Sequence, residues 1–500
     1  MIDPLLDLPP EALHPECPDL ARLGPTPGEA LLRARAARVE ADRRAHRETV
    51  AALAEDEGVT TAGPVDGADR TGGNAGAAGV QAGPAGDEPA GDGAAAPRGV
   101  SRRRFLAGAG VAGATVLTRQ LTTTRVSFGV DNGSGILVSV FLRGGMDGLS
   151  VVVPADDPHL LEARPDIAVR GGALLPLDRG FGLHPALRPL HELWNRGQFT
   201  AVPAVSTPEI SRSHFQAQDC LERGGSATGA PEGWLDRVLD RLGPGTTFRS
   251  ISQGATIPRA LAGDQPSLSL RTVEDFKLQG WEGVHQKTLD ALSALYTGLD
   301  HPLSAAAATT LEALGTADRL NATPYEPGAT YPEGDFAAGL REVARLIRSD
   351  VGLRVACIDC GGWDMHTGIG TVDRGRMRDQ LTTLGWALGA FATDLGDRFD
   401  DVTVVVMTEF GRRIAQNGSN GTDHGHGAVV LLAGGGLAGR TVHGNWQGLA
   451  PEVTDQGDVP GSNDYRNVLG EVVVGRLGLS PTDLATVFPG HRYQPIGVMA

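Results

Sequence analysis

Between Thr408 and Gly427 the chain runs T-E-F-G-R-R-I-A-Q-N-G-S-N-G-T-D-H-G-H-G. Asp423, His424 and His426 fall within four residues there, and Glu409 stands near the start of the stretch. Carboxylate oxygen with imidazole nitrogen is the ligand set suited to zinc, manganese or iron. A second acid–histidine group lies upstream in G-G-W-D-M-H, where Asp364 and His366 are two residues apart. On an extended segment, residues two apart point the same way, so both can reach one ion. Asp147 is a further carboxylate, set among glycines in R-G-G-M-D-G-L-S. Ser213, at the start of a helical pattern, has two roles open to it. As a cap its hydroxyl satisfies a free backbone N–H; as a nucleophile it sits where the helix dipole and free N–H groups stabilise an anion. The bland alternative for the acids and histidines is that they are loop caps and turn residues.

The elements that must hold these residues are legible as apolar runs. Asp401 to Met407 is β-branched and apolar, the pattern of a fully buried strand, and it delivers Glu409 to a sheet rim. Leu353 to Ile358 does the same for Asp364, and Ile136 to Leu142 for Asp147. Phe199 to Val205 is a strand ahead of Ser213, and Ala428 to Leu432 a strand after the histidine loop. Phe336 to Asp350 and Arg374 to Leu395 read as amphipathic helices. Residues 228–350 otherwise read as helical patterns broken by Gly and Pro, and Asp464 opens a helix running through Leu477. The Arg374–Leu395 helix joins two strands, the unit of a parallel sheet with a right-handed crossover. In open α/β sheets, ligands bind beyond the carboxyl ends of the strands, where these acids fall.

Composition sets the outer bounds. The chain has 500 residues, is 41% hydrophobic and carries a formal charge of −16. That is enough apolar content for a core, and the sign of the charge argues against a general nucleic-acid surface. Four cysteines do not make a disulfide scaffold at this length. Basic residues are nearly all Arg, the only lysines being Lys277 and Lys287. No run of 18 apolar residues is present, so no ordinary membrane span is expected. Residues 1–100 read as an N-terminal extension with a Gly/Ala-rich linker over 58–100, which cannot bury a core.

Residues 101–128 resemble a twin-arginine export signal. Ser101-Arg102-Arg103-Arg104-Phe105-Leu106 is followed by a short, mildly apolar run from Ala107 to Leu117. The signal lies far from the N-terminus and no clean Ala-x-Ala site follows it. An uncleaved signal would be the only membrane attachment, and the twin-arginine translocase the partner in export.

Three other signals lose their usual meaning in context. Gly434 to Gly439 fits G-x-G-x-x-G, but the residues after it do not read as a helix, so no dinucleotide site is expected. Cys357 and Cys360 are three apart on a strand and point to opposite faces, which suits buried apolar cysteines better than a metal or redox pair. His184 and His443 lack acids at ligand spacing and read as structural.

From about residue 135 onward the chain resembles a family of exported bacterial proteins, domain of unknown function number 1501. That family is grouped with the alkaline phosphatase and sulfatase superfamily. The resemblance rests on R-G-G-M-D-G-L, F-G-L-H-P-A-L, S-H-F-x-A-Q-D, G-G-W-D-M-H-T, M-T-E-F-G-R and G-T-D-H-G-H-G, in that order. It implies one alkaline-phosphatase-like domain over 135–500, a three-layer α/β/α fold with a mostly parallel sheet. In active members it implies a metal-assisted hydrolase of phosphate or sulfate esters. Superfamily members hold one or two metals with an Asp after the first strand and later Asp/His sets, and a Ser, Thr or modified Cys attacks.

Carried over by position, Asp147 matches the first Asp, and Asp364 with His366 the middle pair. The strand that would end in Asp-His ends here in Glu409-Phe410, and Asp-His comes only at Asp423-His424. Either Glu409 takes the Asp's place and His424 or His426 supplies the imidazole, or the pair has moved along the loop. A Cys-x-Pro-x-Arg signature is absent, which argues against a formylglycine sulfatase.

The expectation is an exported, metal-dependent hydrolase of phosphate or related esters, acting on a small-molecule or surface ester. One or two divalent ions (zinc, manganese or iron) would be held by Asp147, Asp364, His366, Glu409, Asp423, His424 and His426. Ser213 would attack, and Arg412 or Arg143 would hold substrate charge. The alternative is a non-catalytic exported binding or assembly protein on the same fold.

Overall fold

The computed structural model describes residues 135–225, 230–277, 285–296 and 302–500. The extension, linker and twin-arginine-like segment fall outside the described residues.

Eleven strands are described: β1 Ile136–Leu142, β2 Val152–Pro154, β3 Leu175–Pro176, β4 Phe181–Leu183, β5 Phe199–Ser206, β6 Ser250–Gln253, β7 Leu268–Leu270, β8 Val355–Cys360, β9 Val402–Met407, β10 Ala428–Gly434 and β11 Asn463–Asp464. Eight of them form one sheet in the order β11-β5-β10-β9-β1-β8-β6-β7, while β2, β4 and β3 make a small antiparallel sheet. In the large sheet β10 runs against its neighbours β5 and β9, and the remaining pairings are parallel.

β1 shows why the sheet is central. All seven of its residues are buried, and they alternate between two cores. Ile136, Val138, Val140 and Leu142 face the helices Arg188–Arg196, Asp335–Arg348 and Arg376–Leu395. Leu137 and Phe141 face the helices Trp234–Leu242 and Tyr465–Leu477. A strand apolar on both faces must be covered on both, so the molecule is the expected three-layer α/β/α stack with a mostly parallel sheet.

The sequence expectations differ from the structure in three places. β8 and β9 are parallel, as the strand–helix–strand pattern implied, but β1 lies between them, so the connecting helix spans a strand. β6 and β7 lie within 228–350, where the pattern suggested helices and breaks. They are short, and Ser250-Ile251-Ser252-Gln253 has no apolar run to announce it. The helix starting at Asp335 ends at Arg348, because Asp350 takes a left-handed φ of 52° that a helix cannot contain.

β1, β5, β8 and β9 all point the same way, so their carboxyl ends share one rim. Because β10 runs in reverse, the 408–427 loop both leaves and re-enters the sheet at that rim.

Candidate metal centre

The rim gathers side chains from three connections. His214 opens the helix His214–Arg223, which follows β5. Asp364 and His366 follow β8, Glu409 follows β9, and His424 lies in the loop that returns to β10. One donor atom each from His214, Asp364 and His424 lies within 4.8 Å of the others, a grouping able to hold a metal ion. His366 joins them: its Nε2 is 3.0 Å from Asp364 Oδ1 and 3.0 Å from His424 Nε2. His424 Nε2 is 3.3 Å and His214 Nε2 3.5 Å from the same carboxylate.

Each imidazole is fixed from behind. His214 Nδ1 donates to Glu409 Oε1 at 2.7 Å, and His366 Nδ1 to Asp423 Oδ1 at 3.2 Å. His424 Nδ1 donates to the Arg212 carbonyl at 2.7 Å. An acceptor-only partner on Nδ1 assigns the proton to that nitrogen, which leaves the Nε2 lone pair of a neutral ring facing inward. The rings also pack on Phe410, with centroids 4.9 Å from His214 and 4.7 Å from His424.

Electrostatics keep the centre in ligand form. Burial opposes the charge of Asp364, but the His214, His366 and His424 rings around it, with the Arg412 guanidinium, hold its carboxyl far below the ordinary carboxylate range. Burial likewise opposes Glu409; hydrogen bonds from His214 and Gln218 outweigh it and bring the carboxyl down to about 2. Burial pushes His424 below its ordinary value and the nearby Arg412 charge adds to this, against the pull of the neighbouring Asp364 carboxylate. A neutral imidazole is the form that coordinates.

The structure distributes the sequence candidates unequally. Asp364, His366 and His424 meet at the centre. Glu409 and Asp423 stand one step back, each behind a histidine; Glu409 also accepts from Gly144 N and from Gln218 Nε2, both at 2.9 Å. His426 turns aside, its Nδ1 3.1 Å from Asp455 Oδ2.

Asp147 is held elsewhere. Its oxygens meet Arg164 at 2.5 and 2.8 Å and the Ser150 hydroxyl at 2.5 Å, and it is 2% exposed. Arg412 is 1% exposed, so it faces inward rather than toward a substrate. Its guanidinium binds the carbonyls of Gly144, Gly145 and Thr422 and lies 2.7 Å from Asp364 Oδ1. Arg143 is joined to Glu222 at 2.7 Å and Asp359 at 3.1 Å. Ser213 is the N-cap residue of the His214–Arg223 helix, half-buried, and its side chain makes no capping hydrogen bond.

His214 is absent from the sequence expectation. Its signal was the i, i+4 pair with Gln218 on one helix face, since both side chains reach Glu409. The remaining signals keep their structural roles. His184 Nδ1 accepts from Ala186 N at 3.1 Å, and burial, with the Arg378 charge, brings its imidazole down to about 4. His443 Nε2 bonds the Ala438 carbonyl at 2.7 Å. Cys357 and Cys360 are free thiols. No helix follows Gly434 directly: the next described element is the 3-10 turn Pro451–Val453. No helix of the described residues is long and apolar enough to cross a membrane.

Fold and site together define an α/β protein with a histidine–aspartate cluster at the carboxyl rim of a mostly parallel sheet. Residues 198–461 match the family model described as "Protein of unknown function (DUF1501)", and the chain belongs to that family. No curated protein matches the chain. Among solved structures, one similar chain is Ps i-CgsB in complex with k-i-k-neocarrahexaose: 13% identical, covering 69% of this chain and 72% of that one, TM-score 0.27. Another is the integral membrane protein lipooligosaccharide phosphoethanolamine transferase A (EptA) from Neisseria meningitidis: 10% identical, covering 68% and 59%, TM-score 0.25.

Proposed function

We propose that this chain is an exported, metal-dependent hydrolase of phosphate or related esters. One observation carries the metal reading: three imidazoles, each with its Nδ1 proton directed outward, present Nε2 lone pairs to one carboxylate. Lone pairs 3.0 Å apart on His366 and His424 have no proton to share, and a divalent cation satisfies them and Asp364 together. His214, His366, His424 and Asp364 would hold it. Three nitrogens and one oxygen fit zinc best among zinc, manganese and iron.

Bound there, the ion would polarise an ester oxygen and lower the pKa of a hydroxyl or water. The chain's own contribution is positional. Glu409, Asp423 and the Arg212 carbonyl fix the rings. Arg412 keeps Asp364 ionised. Ser213, beside His214 and with a hydroxyl that caps nothing, is the nucleophile candidate. Export by the twin-arginine route, supported by residues 101–117, would carry the folded, metal-loaded protein.

The test is elemental analysis of the full-length protein, with Asp364→Ala and His424→Ala beside it. Bound metal lost in both variants, with turnover of phosphomonoester, phosphodiester or sulfate-ester substrates lost alongside, is the expected result. Unchanged metal content in both variants would sink the site assignment. A second reading, an exported binding or assembly protein, is favoured by Asp147 and Arg412 being fully engaged within the protein. It predicts metal loading without turnover of any of the three ester classes.

A further inference from the structure

The turn Asp455-Gln456-Gly457-Asp458 reaches both histidines of the D-H-G-H motif, His426 directly and His424 through Arg212. Asp455 accepts from His426. Asp458, 1% exposed, pairs with Arg212 at 2.5 Å, and the Arg212 carbonyl is the acceptor for His424 Nδ1.

The turn is rigidly made. Asp455 and Asp458 exchange backbone hydrogen bonds at 3.1 and 3.0 Å. Gln456 and Gly457 both take positive φ, 53° and 88°. A non-glycine residue is held there only where its surroundings over-determine it. Those surroundings are Arg413, whose guanidinium binds the Gln456 carbonyl at 2.8 Å, and Ile414 N, which binds the Gly457 carbonyl at 3.1 Å. Arg413 N in turn binds the Asp423 carbonyl at 2.9 Å, so the same strip of backbone reaches the histidine loop.

Arg212 itself lies in the irregular segment between β5 and the His214–Arg223 helix. No ladder of hydrogen bonds fixes where its carbonyl points. Its one charged anchor among the described residues is Asp458.

We infer that Asp458 is a positioning residue for the metal centre: through Arg212 it sets the acceptor that fixes the His424 ring and tautomer. The inference rests on the metal reading. Partners that orient a ligand imidazole typically change metal affinity about 10–100-fold when removed. Arg212 is 41% exposed, so releasing it into water costs the fold little.

The experiment is a cobalt(II) titration of the full-length protein, followed by the visible absorption of the bound ion, for wild type, Asp458→Asn, Arg212→Ala and Arg212→Lys. The melting temperature of each metal-free protein is measured in parallel. Asp458→Asn and Arg212→Ala are expected to weaken cobalt binding about 10–100-fold and to alter the absorption bands, without lowering the metal-free melting temperature. Arg212→Lys, which keeps the ion pair, is expected to bind close to wild type. Wild-type affinity in Asp458→Asn or Arg212→Ala would overturn the inference. So would a metal-free melting temperature that falls in step with affinity, the mark of a purely structural role. A wild type that takes up no cobalt would instead overturn the metal reading itself, and this inference with it.

Discussion

Asp147 meets Arg164 through both oxygens while fully buried, and Asp364 meets Arg412 while partly open to the rim. The same pair of residue types serves two ends. At Asp147 the guanidinium takes the whole carboxylate; at Asp364 it takes one oxygen and leaves a face to the histidines. Removing one partner of a buried pair costs about 3–5 kcal/mol, whereas replacing both by apolar groups of similar volume is often neutral. Asp147→Asn is therefore expected to melt far below wild type, and Asp147→Leu with Arg164→Met close to it, by calorimetry. The pH dependence has a definite sign. Burial opposes the Asp147 charge, but the Arg164 guanidinium outweighs burial and holds the carboxyl below its ordinary value. A depressed folded-state pKa gives stability that is present above the unfolded value, about 3.9, and is lost as pH falls below it. Acid titration of wild type beside the double variant should show wild type losing the larger share of its stability below about pH 4.

The segment after β9 shows how densely one element end can be used. Thr408 accepts from Met146 N and donates to the Leu142 carbonyl, and Glu409, Phe410 and Arg412 each support a ligand. Gly411 lets this segment lie against the returning loop, since a Cβ there would stand 1.8 Å from the Gly427 carbonyl. Backbone on both sides cannot yield cheaply. Gly411→Ala is expected to destabilise by about 1–3 kcal/mol and to weaken metal binding, measured by thermal unfolding and by metal titration of the same samples. Much of this was open to sequence reading. β-branched runs ending in acid and glycine mark β1, β8 and β9, and the acid–histidine pairs stand within a few residues of those ends. What stayed hidden depended on long-range partners. His214 finds its carboxylate 195 residues away, and its only local cue is the i, i+4 pair with Gln218. Asp147 looks like any rim carboxylate until Arg164 is folded against it. β6 and β7 are too short and too polar for a period to show.

At the scale of the molecule, the centre ties three connections to one point, so an ion bound there would be linked to global stability. A ligand that binds only the folded state adds about 2.7 kcal/mol at a hundredfold excess over its dissociation constant. Zinc added to metal-free protein should raise the melting temperature by several degrees, a chelator should reverse it, and Asp364→Ala should show neither. A rise of equal size in Asp364→Ala would place the stabilising ion elsewhere. The reversed strand β10 has a consequence beyond the fold. Asp364 and His424 are 60 residues apart in sequence, and the loop carrying His424 is set only once β10 has paired antiparallel with β9 and β5. Closure of such distant contacts comes late in folding. The donors are therefore expected to converge after the rate-limiting step, where a bound ion would have little to hold in the folding transition state and much to hold in the native one. A bound ion would then slow unfolding and leave the rate of folding nearly untouched, a latch on a sheet already built; refolding and unfolding rates measured with and without zinc would show it.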